Sequence, residues 1–420
     1  MLRALGVLVA FAGAGCAQDP QYGSGGPDAG AATGGAPNTG GTGGIPGGGG
    51  SSPPACDPTR STLGKIGATA AAPWVSVGKP VVASAGVVDA GKVVDGLYPH
   101  AGAFLPNPTA QAPAWLAVDM GAGAGPGRLL LSWADTGWNE YNTPIPGGSP
   151  ASYRIETSAD STNGADGTWN VVVDVPTNKV RERAHSFLFA NKRWVKLVVT
   201  GAANAGASKV GVSLDEVALF NVTQAADARP ADTWFFMGDS ITSGGFKRQL
   251  GAGTSFEALI KAKRPAFTPA MLNGGIGGEL STMGLGHLNE WLELNPDLQH
   301  IAILYGTNDS WDVAATASTN LDHFTASMTG IVEAILAGGR VPILARIPYA
   351  STHHPALAPF NAAIDGISTA HALPCGPDLY NWFKDHPDEL GPDGVHPSDA
   401  GYRSINRLWA DAMLGLYPAP

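Results

Sequence analysis

The sequence predicts an all-β sandwich followed by an α/β domain whose parallel sheet is covered by helices on both faces. Two observations carry this. From about Cys56 to Val222, short runs of alternating apolar and polar residues are bounded by Gly, Pro, Asn or Asp. From about Asp232 onward, apolar strands alternate with longer helical stretches. The 420 residues suffice for two domains with full cores.

In chain order, the first segment is targeting rather than structure. Met1-Leu2-Arg3 is a small basic start, and Ala4 to Ala14 is apolar but too short to span a bilayer. Gly13-Ala14-Gly15-Cys16 resembles the lipobox of bacterial lipoproteins, with Gly13 where Leu or Val is usual. The resemblance implies lipidation of Cys16; the alternative is an ordinary signal peptide. Either way the protein is expected to be exported, and as a lipoprotein it would sit at the cell envelope, outer membrane or cell surface. Residues 1–16 form this segment, and residues 17–55, rich in Gly, Ser and Pro, form a flexible tether with almost nothing to bury. The lipid anchor would be the protein's sole link to a membrane. With Cys16 acylated, Cys56 and Cys375 are left as a pair, open to disulfide formation in an oxidising compartment or to remaining as two buried thiols. A net charge of -10 with no Lys/Arg cluster argues against nucleic acid as a partner.

Residues 56–228 form the predicted sandwich. Its strands are read at 115–119, 128–133, 152–157, 169–173, 193–199 and 214–220. The order of local motifs over about Lys79 to Val222 resembles the discoidin, or coagulation factor 5/8 type C, family of galactose-binding-like domains. The matching segments are Val93-Val94-Asp95-Gly96, Ala114 to Gly121, Tyr153 to Asp160, and Trp194-Val195-Lys196-Leu197 through Asp215-Glu216-Val217. The resemblance implies a jelly-roll sandwich, sugar binding through loops at one end and a structural calcium, for which Asp95 and Glu216 are the candidate ligands. A solvated turn acid and a strand-end acid are the alternative. Trp138 and Tyr141, flanking Asn139 and Glu140, combine aromatic faces with polar groups suited to stacking on a pyranose, although buried Trp and Tyr are common in sandwiches.

Residues 229–420 form the predicted α/β domain. Strands are expected at 233–237, 270–272, 300–305 and 341–345, and helices near 255–263, 280–294, 321–337, 356–371 and 400–414. In such sheets ligands bind where the strand C-termini open into loops. Those loops carry the chemistry. Gly238-Asp239-Ser240 follows the first strand, and Asp393-Gly394-Val395-His396-Pro397 precedes the last helix. A serine hydroxyl is a weak nucleophile until a base takes its proton, and an imidazole base needs a partner to fix its tautomer. Ser240, His396 and Asp393 supply the three groups, the last two close enough in sequence for one short loop to present both.

With Asn273-Gly274-Gly275-Ile276-Gly277-Gly278-Glu279 and Gly306-Thr307-Asn308-Asp309 between them, these blocks resemble the SGNH, or GDSL-type, hydrolases over essentially all of Asp232 to Pro420. The resemblance implies a flavodoxin-like three-layer fold and hydrolysis of carboxylic esters without a catalytic cofactor. It assigns Ser240 as nucleophile, His396 as base and Asp393 as its partner. The backbone N–H groups of Ser240 and Gly278 and the side-chain amide of Asn308 would form the oxyanion hole. Gly275 is the runner-up to Gly278, because glycines crowd this block. Glu279 stands where the family more often has Asp. Asp239, next to the nucleophile, reads as a brace for the loop.

No Gly-x-Ser-x-Gly elbow occurs in the chain. His353-His354 lacks a carboxylate pattern for zinc, and Asp385-His386-Pro387 lacks the spacing of the last block because residue 383 is Phe. Trp311 and Tyr349 follow the third block and the fourth strand, where they are either substrate contacts or rim aromatics. The sandwich tips the expected substrate toward an acylated carbohydrate, most simply an acetylated polysaccharide. The alternatives are a lipase, arylesterase or thioesterase of the same fold and, from another class, a surface carbohydrate-binding lipoprotein with a vestigial hydrolase.

Overall fold

The computed structural model describes residues 61–420 apart from 69–71, 124, 136–142, 144, 146, 207–209, 226–228, 312–316 and 352–356. The targeting segment, the tether, Cys16, Cys56, Trp138, Tyr141 and the pair His353-His354 lie outside the described residues.

In the β-rich region, alternation builds two antiparallel sheets around one core. The first sheet contains β1 (Val81–Ala83), β3 (Ala114–Asp119), β8 (Trp194–Ala202), β5 (Pro150–Ser158) and β6 (Asn170–Val175), in that spatial order. The second contains β2 (Ala103–Pro106), β9 (Gly211–Asn221), β4 (Arg128–Asp135) and β7 (Arg183–Leu188). Leu116, Val118, Ile155 and Leu197 of the first sheet meet Leu129, Leu131, Trp133 and Leu219 of the second in a shared core, with Trp133 edge-on to Tyr153 at 5.7 Å. Because side chains alternate between faces, the intervening residues Leu130, Ala218 and Phe220 point away from that core. They are buried too, in the core of the α/β region.

Three of these strands, β1, β2 and β7, were not marked by the sequence pattern. β1 and β2 are very short. β7 reads Arg-Ala-His-Ser-Phe-Leu and alternates poorly, because Ala184 and Phe187 serve two different cores.

The α/β region has a four-stranded parallel sheet in the order β11 (Ala270–Gly275), β10 (Thr233–Gly238), β12 (His300–Leu304), β13 (Val341–Leu344). β10 is central and buried along its whole length, as expected of an apolar strand covered on both faces. Phe235 and Met237 pack on one side with α3 (Ser281–Leu294), α4 (Ala317–Ala337) and α5 (Leu357–Ala370). Trp234 and Phe236 pack on the other with α2 (Phe256–Lys263), α6 (Leu379–Asp385) and α7 (Asp399–Met413). The helices fall within a few residues of their expected positions. α6 and the five-residue α1 (Ser240–Gly244) are additions. No helix among the described residues is long and apolar enough to cross a membrane.

The two regions are not beads on a string. Leu130, Val180, Ala184, Ala218, Phe220 and Val222 belong to the same buried cluster as Leu288, Trp291 and Leu292 of α3. Polar contacts reinforce this seam. Arg183 donates to Leu294 O at 2.9 Å, Ala184 N to Asn295 Oδ1 at 3.1 Å, and Ser186 N and Oγ to the Asp297 carboxylate at 2.9 Å each. The chain just ahead of the sandwich joins in: Ile66 N donates to Leu416 O, and Gly64 O lies 3.0 Å from Nε2 of the buried His300.

Candidate active site

In a doubly wound sheet with order 2-1-3-4, the crevice opens between the C-terminal ends of the first and third strands. Here these are β10 and β12. β10 ends at Gly238, where a Cβ would overlap Leu304 O of β12 and the Thr242 side chain, so glycine lets the chain turn out of the sheet. Asp239 follows in extended conformation, caps α1 and accepts Ile241 N–H at 2.9 Å. That fixes Ser240 as the first residue of α1, at the mouth of the crevice. The bracing role expected of Asp239 is thus an N-cap.

Ser240 Oγ lies 2.8 Å from His396 Nε2, and His396 Nδ1 lies 2.6 Å from Asp393 Oδ2. Residues 156 positions apart in sequence are in line for proton transfer. The Asp393 loop is organised from within: Oδ1 accepts the backbone N–H groups of Val395 and His396, each at 3.0 Å, which leaves Oδ2 for the imidazole. Burial works against the Asp393 charge, but these two N–H groups and the imidazole outweigh it and hold the carboxyl below its usual pKa. The loop is closed from outside by Ser351 N on Gly394 O and by Ser398 on Glu389 O.

The two candidate glycines of the second block differ in their surroundings. Gly275 is in β11, its N–H is taken by Asn273 Oδ1 at 2.9 Å, and a Cβ there would overlap the Ser243 backbone. Gly278 lies past the strand with a φ of 78°, in the left-handed region that favours glycine, and its Cβ direction is open. Among the described residues no acceptor takes the Gly278 N–H. Gly275 therefore has no donor to offer, and Gly278 does.

Asn308 lies in the turn after β12 and donates through Nδ2 to Glu279 O at 3.0 Å, which fixes its amide beside the Gly278-Glu279 loop. Two residues outside the expected set hold that loop. Tyr305 donates its hydroxyl to Glu279 Oε2 at 2.6 Å, and the Asp309 carboxylate accepts both the N–H and the hydroxyl of Ser281 at the start of α3. Asp309 was visible as part of its block; Tyr305 left no signal beyond a buried strand end. Glu279, standing where Asp is more usual, thus supports the loop through both its carbonyl and its side chain.

A layer of carboxylates lies under the site. Burial, opposed by the Ile241 N–H and joined by the charges of Asp309 and Glu279, pushes the Asp239 carboxyl up to about 7. Burial also pushes Glu279 to about 7, against the hydrogen bond from Tyr305. His287 Nε2 is 3.2 Å from Glu279 Oε1.

The remaining candidates are placed as follows. Trp311 packs at the rim of the core containing α3 and α4, and Tyr349 meets Tyr380 edge-on at 6.0 Å. Cys375 is disulfide-bonded, while Cys56 lies outside the described residues. Asp95 and Glu216 come together at one turn. Asp95 Oδ1 accepts Leu97 N–H, Glu216 Oε1 accepts Gly96 N–H at 2.7 Å, and Glu216 Oε2 is buried without a hydrogen-bond partner. Burial, reinforced by Asp95 and Asp215, pushes Glu216 up to about 9. Such an orphan oxygen suits a hard cation, whose other ligands would have to be carbonyls or water. Among the described residues no group of three or more His, Cys, Asp or Glu side chains is arranged to hold a metal.

Comparison with known proteins gives one family match and several partial structural likenesses. Residues 236–404 match the model of the GDSL-like lipase/acylhydrolase family. A search of curated proteins finds no match. Solved structures similar to part of the chain include the α/β hydrolase LAE5 from the metagenome of Lake Arreo, Spain, at 18% identity, covering 44% of this chain and 96% of that one with a TM-score of 0.37. Another is the psychrotrophic esterase EstA from Pseudoalteromonas sp., at 20% identity, 44% and 97% coverage and a TM-score of 0.36. A third is an acetylxylan esterase from Geobacillus stearothermophilus, at 21% identity, 44% and 94% coverage and a TM-score of 0.35. The substrates in these names are those proteins' own. The α/β region is thus similar over residues 236–404 to GDSL-like lipases and acylhydrolases, and this match supports an ester-bond hydrolase.

Proposed function

We propose that the protein is an exported, lipid-anchored serine esterase that removes acyl groups, most simply acetyl, from carbohydrate. The observation that carries the mechanism is the unbroken line Ser240 Oγ, His396 Nε2, His396 Nδ1, Asp393 Oδ2, with separations of 2.8 and 2.6 Å. In the first step His396 takes the hydroxyl proton as Ser240 Oγ bonds to the acyl carbon, and the resulting imidazolium returns that proton to the departing alcohol. Water then attacks the acyl-enzyme with the same imidazole as base, which releases the acid and restores Ser240. The negative oxygen of each tetrahedral intermediate would be met by the N–H groups of Ser240 and Gly278 and by the Asn308 amide. Asp393, held ionised, keeps the imidazole in the tautomer that can accept at Nε2.

The carbohydrate reading is supported by the β-rich region, whose motif order resembles the discoidin-type jelly roll. The exported reading is supported by residues 1–16 and the tether. The test is a serine-directed phosphonate combined with a substrate panel. Wild type is expected to be labelled and inactivated, Ser240→Ala to be neither labelled nor active, and acetate to be released from acetylated glycans faster than longer acids from simple esters. Unlabelled, folded wild type would refute the serine mechanism. Faster turnover of long-chain esters would point to a lipase instead.

A calcium held in part by Asp95 and Glu216 belongs to the same proposal and is supported by the orphan Glu216 Oε2. Calcium that displaces the proton which burial holds on Glu216, binding the folded state alone, is expected to raise the melting temperature by several degrees at millimolar concentration, an effect absent in Glu216→Gln. Identical melting in calcium and chelator would count against it.

A further inference from the structure

We infer that Arg181 and Glu182, which belong to the β-rich region, are positioning residues for ester hydrolysis in the α/β region. The inference rests on the reading of Ser240 as nucleophile. Both residues lie just ahead of β7 and are buried, Arg181 at 4% exposure and Glu182 at 1%. Each crosses the seam to a different half of the proposed machinery.

Arg181 Nη1 donates to Ser243 Oγ at 2.7 Å. Ser243 is on α1, one turn beyond Ser240, and its N–H closes that turn on Asp239 O at 3.0 Å. Glu182 Oε2 accepts the backbone N–H of Asn273 at 2.7 Å. Asn273 is on β11, the edge strand, and its own side chain holds Gly275 N–H at the entrance to the Gly278 loop. Gly275 packs directly on the Ser243 backbone, so the two halves touch, and Val180 and Arg181 border the small space beside Asn273, Gly274, Gly275 and Ile276. One dipeptide thus fixes the turn carrying the nucleophile and the strand leading to an oxyanion donor.

A buried guanidinium is a costly way to gain stability, since an apolar side chain of similar volume commonly serves as well. It is an effective way to fix direction, because the planar fork bonds at a set angle. A shift of about 1 Å in a reacting group can lower turnover about 100-fold.

The test uses the full chain and a small acetyl ester, with kcat referred to phosphonate-titrated sites so that misfolded molecules are not counted. Arg181→Met is expected to lower kcat about 10-fold to 100-fold with KM within about 3-fold, and Arg181→Lys to recover part of the loss. Ser243→Ala, which removes only the acceptor, is expected to lower kcat similarly. Adding Arg181→Met to it should lower kcat little further, because the bond by which Arg181 reaches α1 is already gone. If Arg181→Met does not fold, Ser243→Ala and Arg181→Lys carry the test. Titrated kcat within about 2-fold of wild type in these variants, with only the melting temperature lowered, would overturn the inference. Its failure is distinguishable from failure of the serine mechanism, which would show instead as activity retained by Ser240→Ala.

Discussion

Replacing His396 by Ala is expected to lower kcat about a million-fold, and replacing Asp393 by Asn about ten-thousand-fold, with folding intact in both. The first figure follows from the single bond that the imidazole makes to Ser240 Oγ: without it only water can take the hydroxyl proton. The second follows from how the Asp393 loop is wired. One carboxylate oxygen is already committed to the N–H groups of Val395 and His396, so an amide at 393 would keep its oxygen there and turn its NH₂ toward the imidazole. Two donors cannot face each other, so Nδ1 would have to become the acceptor and the ring proton would move to Nε2. An imidazole protonated at Nε2 cannot take a proton from Ser240. Asp393→Ala is therefore expected to be no worse than Asp393→Asn, because it removes the partner without enforcing the wrong tautomer. Steady-state kinetics on purified variants with wild-type circular dichroism checks this. A loss of less than about 10-fold in His396→Ala would remove His396 from the reaction.

The order of groups in this site was legible because each is set by a short local pattern. Asp239 caps the turn that starts at the next residue by accepting the N–H two residues on, and Asp393 holds the N–H groups two and three residues on, so sequence spacing alone encodes the geometry. The parallel sheet was legible for the same kind of reason: β10 must be apolar on both faces, and Trp234 to Met237 is. The choice between Gly275 and Gly278 was not settled, since it turns on which N–H is already engaged by Asn273 and on a backbone contact with Ser243. Nor was the seam. Arg181 and Ser243 are 62 positions apart and Glu182 and Asn273 are 91, and a single bond at such separation leaves no period to read. β7 escaped notice because its two faces serve two cores, which breaks the alternation that marks a half-exposed strand. The second sheet is covered on both faces, by the first sheet on one and by the α/β region on the other.

That covering predicts that residues 229–420 will not fold as an active enzyme on their own. Cutting the chain there strips Leu130, Val180, Phe220 and Val222 from the core they share with Leu288, Trp291 and Leu292. Burial of each such side chain is worth about 1.5–3 kcal/mol, so four of them approach the net stability of a whole domain, about 5–15 kcal/mol. The polar seam adds to the loss. Buried Asn295 would lose the Ala184 N–H, Asp297 both groups of Ser186, and the backbone N–H of Asn273 its carboxylate partner. The Asn273 N–H lies on edge strand β11, which without the β-rich region becomes an open template for pairing with another chain. The expected outcome is aggregation on expression or, if soluble material is recovered, binding of a hydrophobic dye, no cooperative melt and at least a 100-fold loss of esterase activity. Co-expression with residues 56–228 as a separate chain is expected to restore part of the activity, because the missing contacts are non-covalent. A truncated chain that melts cooperatively near the full-length temperature and keeps kcat within a few-fold would show that the shared core is dispensable to the α/β region, and would also remove the physical basis for any control of the site by Arg181 and Glu182.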